Sequence, residues 1–90
     1  MAAYAIDVRP RARRSLRQLD PPARKAIAQV IDGLAVDPRP AGAAALTGHQ
    51  PYLRVRSGDY RVIYSVDDRA RVVTIAAVGH RREIYRSFDL

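Results

Sequence analysis

The sequence predicts an α+β domain in the order β-α-α-β-β-β: an N-terminal strand, a helical hairpin, then an antiparallel sheet of three further strands. Three observations lead there. Apolar residues recur at helical spacing between Pro10 and Leu34. From Tyr52 onward they follow strand patterns interrupted by turn residues. Prolines divide the helical segments from each other and from the later strands.

Tyr4 to Val8 alternates weakly and predicts the first strand. Pro10 stands where a helix can begin, because proline is tolerated at the first helical position. Ala12, Leu16 and Leu19 follow at i, i+4 and i+7 and share one face. Asp20-Pro21-Pro22 ends this helix and opens the next, with Asp20 or a neighbour as cap and a proline in the first turn. Ile27, Val30, Ile31 and Leu34 then form a stripe that should face a sheet. Asp37-Pro38-Arg39-Pro40 closes the helix, since proline cannot continue it and restricts the residue before it. Ala41 to Gln50 reads as a small-residue loop.

The strands are expected over Leu53 to Ser57, Asp59 to Val66 and Arg71 to Val78. Gly58-Asp59 and Asp67-Asp68 supply short turns, hence antiparallel hairpins. Val72 to Val78 is apolar on both parities, which predicts a central strand covered on both faces.

With 90 residues, the chain is expected to be one domain spanning 1–90. No stretch approaches the ~20 apolar residues of a membrane span, and no apolar h-region follows a basic start, so no secretion signal is expected. There are no cysteines, hence no disulfide or thiolate metal site, and a cytoplasmic location is expected. The nine carboxylates are scattered and His49 and His80 lie far apart, so no metal or other cofactor is expected. Phosphate-loop, dinucleotide and Ser/His/Asp signatures are missing.

Charge points to a partner. The net charge is +7, and fifteen of the sixteen basic residues are arginine, Lys25 being the exception. Such a chain is drawn to polyanions or acidic proteins. Arg54 and Arg56 project to one face of a strand, and Arg61 lies one hairpin later. Arg81 and Arg82 come just past Gly79. If the strands are neighbours, these arginines can converge on one side of the sheet, and register decides whether they do. Arg61 sits within the otherwise apolar Tyr60-Arg61-Val62-Ile63-Tyr64, so it needs a carboxylate such as Asp59 or Asp67, or a phosphate. Tyr85 and His80 are the candidate proton movers: clustered guanidinium groups favour a phenolate, and histidine titrates nearer neutrality.

Several segments, in order, resemble the RelE/ParE superfamily of toxins. They are Arg9-Pro10-Arg11-Ala12-Arg13-Arg14-Ser15-Leu16, Leu34 to Pro40, Leu46-Thr47-Gly48, Arg54 to Tyr64, and Val78-Gly79-His80-Arg81-Arg82-Glu83-Ile84-Tyr85. The resemblance implies the toxin half of a type II toxin–antitoxin module. RelE-like members cut mRNA in the ribosomal A site without a metal: the 2′-OH attacks the adjacent phosphorus, leaving a 2′,3′-cyclic phosphate. ParE-like members share the fold and poison DNA gyrase.

Carried over by position, the resemblance implies that Arg61 holds the scissile phosphate. Arg81 would stabilise the developing charge, and Arg54 would support the transition state. Tyr85 would be the base or a stacking platform, and His80 stands where histidine is catalytic in related members. Arg56, Arg82 and Tyr52 are expected to bind RNA, Tyr52 standing where some RelE enzymes carry lysine. The implied partners are the ribosome with its mRNA and a small acidic antitoxin from the adjacent gene, with operator DNA contacted only through the antitoxin complex. The chain ends soon after Tyr85, which predicts little or no C-terminal helix.

Overall fold

The computed structural model describes residues 4–84. It contains β1 (Ala5–Val8), α1 (Pro10–Arg17), α2 (Pro21–Val36), β2 (Ala44–Ala45), β3 (Leu53–Ser57), β4 (Tyr60–Asp67) and β5 (Val72–His80). The strands form one sheet in the order β1-β5-β4-β3-β2. The α+β class and the two-helix hairpin stand as the sequence predicts. The sheet has one strand more than expected, because Ala44 and Ala45 pair with Arg54 and Leu53. Alanine has little strand propensity, so this pairing comes from the neighbouring strand rather than from the local sequence.

Both helices begin at prolines. Arg9 and Asp20 occupy the N-cap positions with extended backbone, and neither side chain makes a capping bond. The Asp20 carbonyl instead accepts the Arg24 N–H at 3.0 Å. The predicted stripe of α2 is the buried one: Ile27, Ile31 and Leu34 are buried and Val30 is half-buried. Each fully buried aliphatic side chain contributes about 1.5–3 kcal/mol. Together with Ala12 of α1 they pack on Val55, Val62, Tyr64, Val73, Ile75 and Val78. The helices therefore form one layer and the sheet the other.

The hairpin between β3 and β4 turns at Gly58, whose φ of +59° suits the first central position of a type II′ turn. In the next turn, the Asp67 carboxylate accepts the N–H groups of Arg69 and Ala70 at 3.1 and 3.0 Å. β1, the first element, pairs parallel with β5, the last strand.

A β-bulge governs what β5 presents. Tyr64 pairs with Ile75, but Ile63 pairs with Ala77, leaving Ala76 as the extra residue. Before the bulge, Val73 and Ile75 face the helices; after it, Val78 does. Ala77 turns to the opposite face, where it joins Leu46, Ile63 and Ile84 in a second, smaller core.

At the far end of the sheet, side chains knit three segments together. Arg39 donates to both Asp68 oxygens at 3.1 and 2.9 Å, and the Tyr4 hydroxyl donates to Oδ1 at 2.7 Å. The Arg71 guanidinium lies 4.7 Å above the Tyr4 ring. Nearby, the buried Tyr64 donates its hydroxyl to the Pro38 carbonyl at 2.8 Å.

Candidate functional site

Register decides which charged side chains meet. Arg56 pairs directly with Arg61 across the β3–β4 hairpin, and Arg54 pairs with Ile63. Val55, Val62 and Tyr64 belong to the helix-facing core, so alternation places Arg54, Arg56 and Arg61 on the opposite face. Two arginines directly opposite each other repel, and like charges so placed destabilise a sheet.

Among the described residues no carboxylate pairs with Arg61. Its Nη1 donates to the carbonyls of Gly58 and Tyr60 at 3.1 and 3.0 Å. Of the expected anions, a carboxylate such as Asp59 or Asp67 or a phosphate, neither acid pairs with it. Asp67 closes its own turn. Asp59 approaches Arg81, with Oδ1 3.8 Å from Nε on an exposed surface. A pair that long and that wet contributes little, so Arg81 keeps most of its charge for other anions. The Asp59 carbonyl also accepts the Arg81 N–H at 2.7 Å, which ties the segment after β5 to the hairpin turn.

Below these arginines lies the smaller core. Tyr52 packs against Leu46, Ile63, Ala77 and Ile84, so its ring is part of the apolar floor beside Arg54. Gly79 pairs with Arg61 and is overlain by Ile84, whose Cδ1 would lie 3.1 Å from a β-carbon there. Gly79 thus lets the 81–84 turn, carrying Arg81 and Arg82, close down next to Arg61. Its place between Val78 and His80 is the only hint of this role in the sequence.

His80 is placed elsewhere. It pairs with Tyr60, and their rings meet edge to face with centroids 5.8 Å apart. Tyr60 packs against the helix-facing core, so the two rings lie on the side of the sheet away from Arg54, Arg56 and Arg61. Nδ1 of His80 accepts the Arg82 N–H at 3.2 Å. Arg82 itself is exposed. The candidate base Tyr85 lies outside the described residues. Among the described residues no group of three His, Cys, Asp or Glu could hold a metal ion, and no helix is long and apolar enough to cross a membrane.

The arrangement offers three guanidinium groups on one face, one of them fixed by backbone carbonyls, with Arg81 at the rim. Such an array suits phosphate, which guanidinium binds bidentately.

The chain as a whole is similar to known proteins. The pattern of the family described as ParE toxin of type II toxin–antitoxin system, parDE, matches residues 6–85. Toxin RelG of Mycobacterium tuberculosis is 32% identical over 84 residues, spanning 92% of this chain and 97% of RelG. The toxin–antitoxin complex RelBE2 of Mycobacterium tuberculosis aligns with a TM-score of 0.76 at 28% identity, covering 88% of this chain and 99% of that one. The archaeal RelE–RelB complex of Pyrococcus horikoshii aligns at 0.77 with 27% identity, covering 88% and 96%.

Proposed function

The chain belongs to the RelE/ParE superfamily of type II toxin–antitoxin toxins, and on that basis we propose that it is a ribosome-dependent endoribonuclease cutting mRNA in the A site. The observation that carries the reading is the Arg56–Arg61 pair: two opposed cations with no carboxylate partner among the described residues, which a phosphate relieves. The 2′-oxygen forms a bond to phosphorus as the bond to the 5′-oxygen breaks. The 2′-OH proton passes to a base, the 5′-oxygen gains a proton, and the products are a 2′,3′-cyclic phosphate and a 5′-OH.

In this reaction Arg61 holds the phosphate, and Arg81 stabilises the charge growing on it and protonates the leaving oxygen. Arg54 adds to that stabilisation, while Arg56, Arg82 and Tyr52 seat the RNA. Tyr85 is the base we favour, because His80 lies across the sheet from Arg61. Fixed cations aimed at the transition state bind it more tightly than the substrate, and losing one such contact typically costs about 10²–10³ in rate.

The partner that silences the toxin is a small acidic antitoxin from the adjacent gene. A disordered segment of it folds onto the basic surface, and operator DNA is contacted through the antitoxin. RelE relatives are solved with RelB, which supports this. The toxin acts in the cytoplasm, where ribosomes are. A second reading comes from the family description, which names ParE: a gyrase poison without nuclease activity.

Primer extension on a message translated in vitro separates the two. New stops that need ribosomes and vanish with Arg61→Ala are expected. An intact message, with gyrase supercoiling inhibited instead, overturns the nuclease reading.

A further inference from the structure

The turn that carries Arg81 is fastened to the end of β5 by a side chain of the type that changes charge near neutrality. Nδ1 of His80 accepts the Arg82 N–H at 3.2 Å, and the His80 carbonyl accepts the Glu83 N–H at 2.9 Å. Arg81 stands inside the first of these bonds and donates its own N–H to the Asp59 carbonyl at 2.7 Å. We propose that His80 is a positioning residue for Arg81 and a pH switch: its neutral ring holds the 81–84 turn in the shape that aims Arg81 at the phosphate, and its protonation releases that turn. The assignment rests on the nuclease reading, in which Arg81 stabilises the transition state, and gives that site a regulation by protons.

Geometry points to a role exerted from behind. The His80 ring lies with Tyr60 on the helix-facing side of the sheet, away from Arg61. It acts on the arginine side through the backbone. Asparagine and aspartate close turns in the same way, their side chains accepting the N–H two residues on. Such a bond fixes the residue in between, which here is Arg81. The Arg81 guanidinium has a long, exposed contact with Asp59, 3.8 Å at Nε, too weak to fix its direction. Its aim is therefore set by the backbone that bears it.

Protonation undoes the bond. A neutral imidazole that accepts at Nδ1 carries its proton on Nε2. A second proton makes Nδ1 a donor, so that two N–H groups oppose each other, and it adds a cation beside Arg81 and Arg82. The groups that face the ring are Tyr60 of β4, Ser15, Gln18 and Leu19 of α1, and Glu83 of its own turn. Serine, glutamine and leucine carry no charge, and tyrosine and glutamate ordinarily titrate near ~10 and ~4, outside the span of about pH 5 to 8 where histidine does. Arginine stays charged throughout. His80 is thus the member of this cluster that switches.

Two effects of that switch have opposite signs. The added charge draws phosphate in, whereas the loosened turn lowers the benefit of Arg81 to the reaction. The first acts on binding and is screened by salt over a Debye length of about 8 Å at physiological ionic strength. The second acts on the transition state. At that ionic strength the maximal rate therefore reports the switch.

Two variants and one titration test this. His80→Asn puts a carbonyl oxygen where Nδ1 lies and does not titrate. His80→Phe keeps a ring against Tyr60 and has no acceptor. Single-turnover cleavage of mRNA on programmed ribosomes is followed from about pH 5.5 to 8 at about 0.15 M salt. At the alkaline end His80→Phe should lose about tenfold in maximal rate with its half-saturating concentration little changed, and His80→Asn should stay within about threefold of wild type. On acidification the wild type should fall about tenfold relative to His80→Asn. A constant ratio overturns the switch, a fully active His80→Phe overturns the positioning role, and a His80→Asn as impaired as His80→Phe overturns the role of the acceptor.

NMR of the purified wild-type chain needs neither variant nor ribosome. The neutral His80 ring should show the Nε2–H tautomer. As the ring protonates, the Arg81 and Arg82 amides should shift with the same midpoint, and the Arg82 N–H should lose protection against solvent exchange. An Nδ1–H tautomer, or an Arg82 N–H whose protection ignores the ring, overturns the assignment. Should the wild type cut nothing at any pH, the nuclease reading fails, and this titration still decides whether His80 holds the turn.

Discussion

Replacing Gly79 with alanine isolates one contact whose cost can be worked out in advance. The new β-carbon would lie 3.1 Å from Ile84 Cδ1, 3.5 Å from its Cβ and 3.7 Å from its Cα. Only the first is closer than ordinary contact, and it involves the far end of a side chain buried to 1% exposure. Overpacking typically costs about 1–3 kcal/mol, and a flexible tip points to the lower end. Gly79 does not have a positive φ, so alanine also narrows the unfolded ensemble and returns about 0.4–1 kcal/mol. The net change in an otherwise native chain is thus a loss of about 1 kcal/mol or less.

Ile84→Val removes Cδ1 and on its own should cost about 0.5–1.5 kcal/mol. In that background Gly79→Ala has no clash left and becomes neutral or stabilising by up to ~1 kcal/mol. The cycle therefore predicts a favourable coupling of about 1 kcal/mol. Urea denaturation of the four proteins measures it, and thermal midpoints should follow at about 4–8 °C per kcal/mol for a domain of this size. Additivity within the ~0.3–0.5 kcal/mol typical of independent sites would refute the packing of Ile84 over Gly79.

Three other perturbations have definite outcomes. Arg56→Thr removes one of two opposed cations and puts a strand former in its place, so stability should rise by about 0.2–1 kcal/mol in urea while RNA affinity and its salt dependence fall. Tyr64→Phe deletes the hydroxyl bonded to the Pro38 carbonyl and should cost about 0.5–1.5 kcal/mol by the same assay. The hydrogen bonds from Arg39 and Tyr4 hold Asp68 below its ordinary value of 3.8, and the bond to Asp68 raises Tyr4 above its ordinary 10.0. A lowered carboxylate stabilises above its unfolded value and loses that contribution as pH falls through the folded one; a raised tyrosine does the reverse in alkali. Thermal midpoints of wild type and Asp68→Asn should therefore differ most between about pH 4 and 10 and converge on the acid side. A difference that persisted unchanged at pH 2 would show that the Asp68 cluster is not the cause.

The helices were legible because two prolines mark their starts and because the spacing of Ile27, Ile31 and Leu34 has one structural meaning. Arg54 and Arg56 could be placed on one face from spacing alone, and Arg61 joined them once the short Gly58-Asp59 turn fixed the register. The side occupied by His80 was hidden. Plain alternation from Val73 and Ile75 carries Ala77 and Gly79 to the helices and His80 to the arginines; the extra residue Ala76 reverses this. Nothing in Val72 to Val78 reveals the reversal, because residues of both parities are apolar. β2 was hidden for another reason: two alanines have no pattern, and only Leu53 and Arg54 make them a strand. Arg61 was expected to meet a carboxylate or a phosphate; that two backbone carbonyls also hold it is something no side-chain pattern encodes.

β2 is two residues long and ends its pairing at Arg54, so among the described residues the outer edge of β3 from Val55 to Ser57 has no strand beside it. An open edge of this kind recruits strands from other molecules unless charge or twist deters them. Arg56 stands at its middle, exposed, and a second copy approaching edge to edge would bring its own arginine against it. The repulsion that weakens the single molecule thus keeps copies apart. Variants that relieve it for the sake of a more stable fold should associate more readily on concentration.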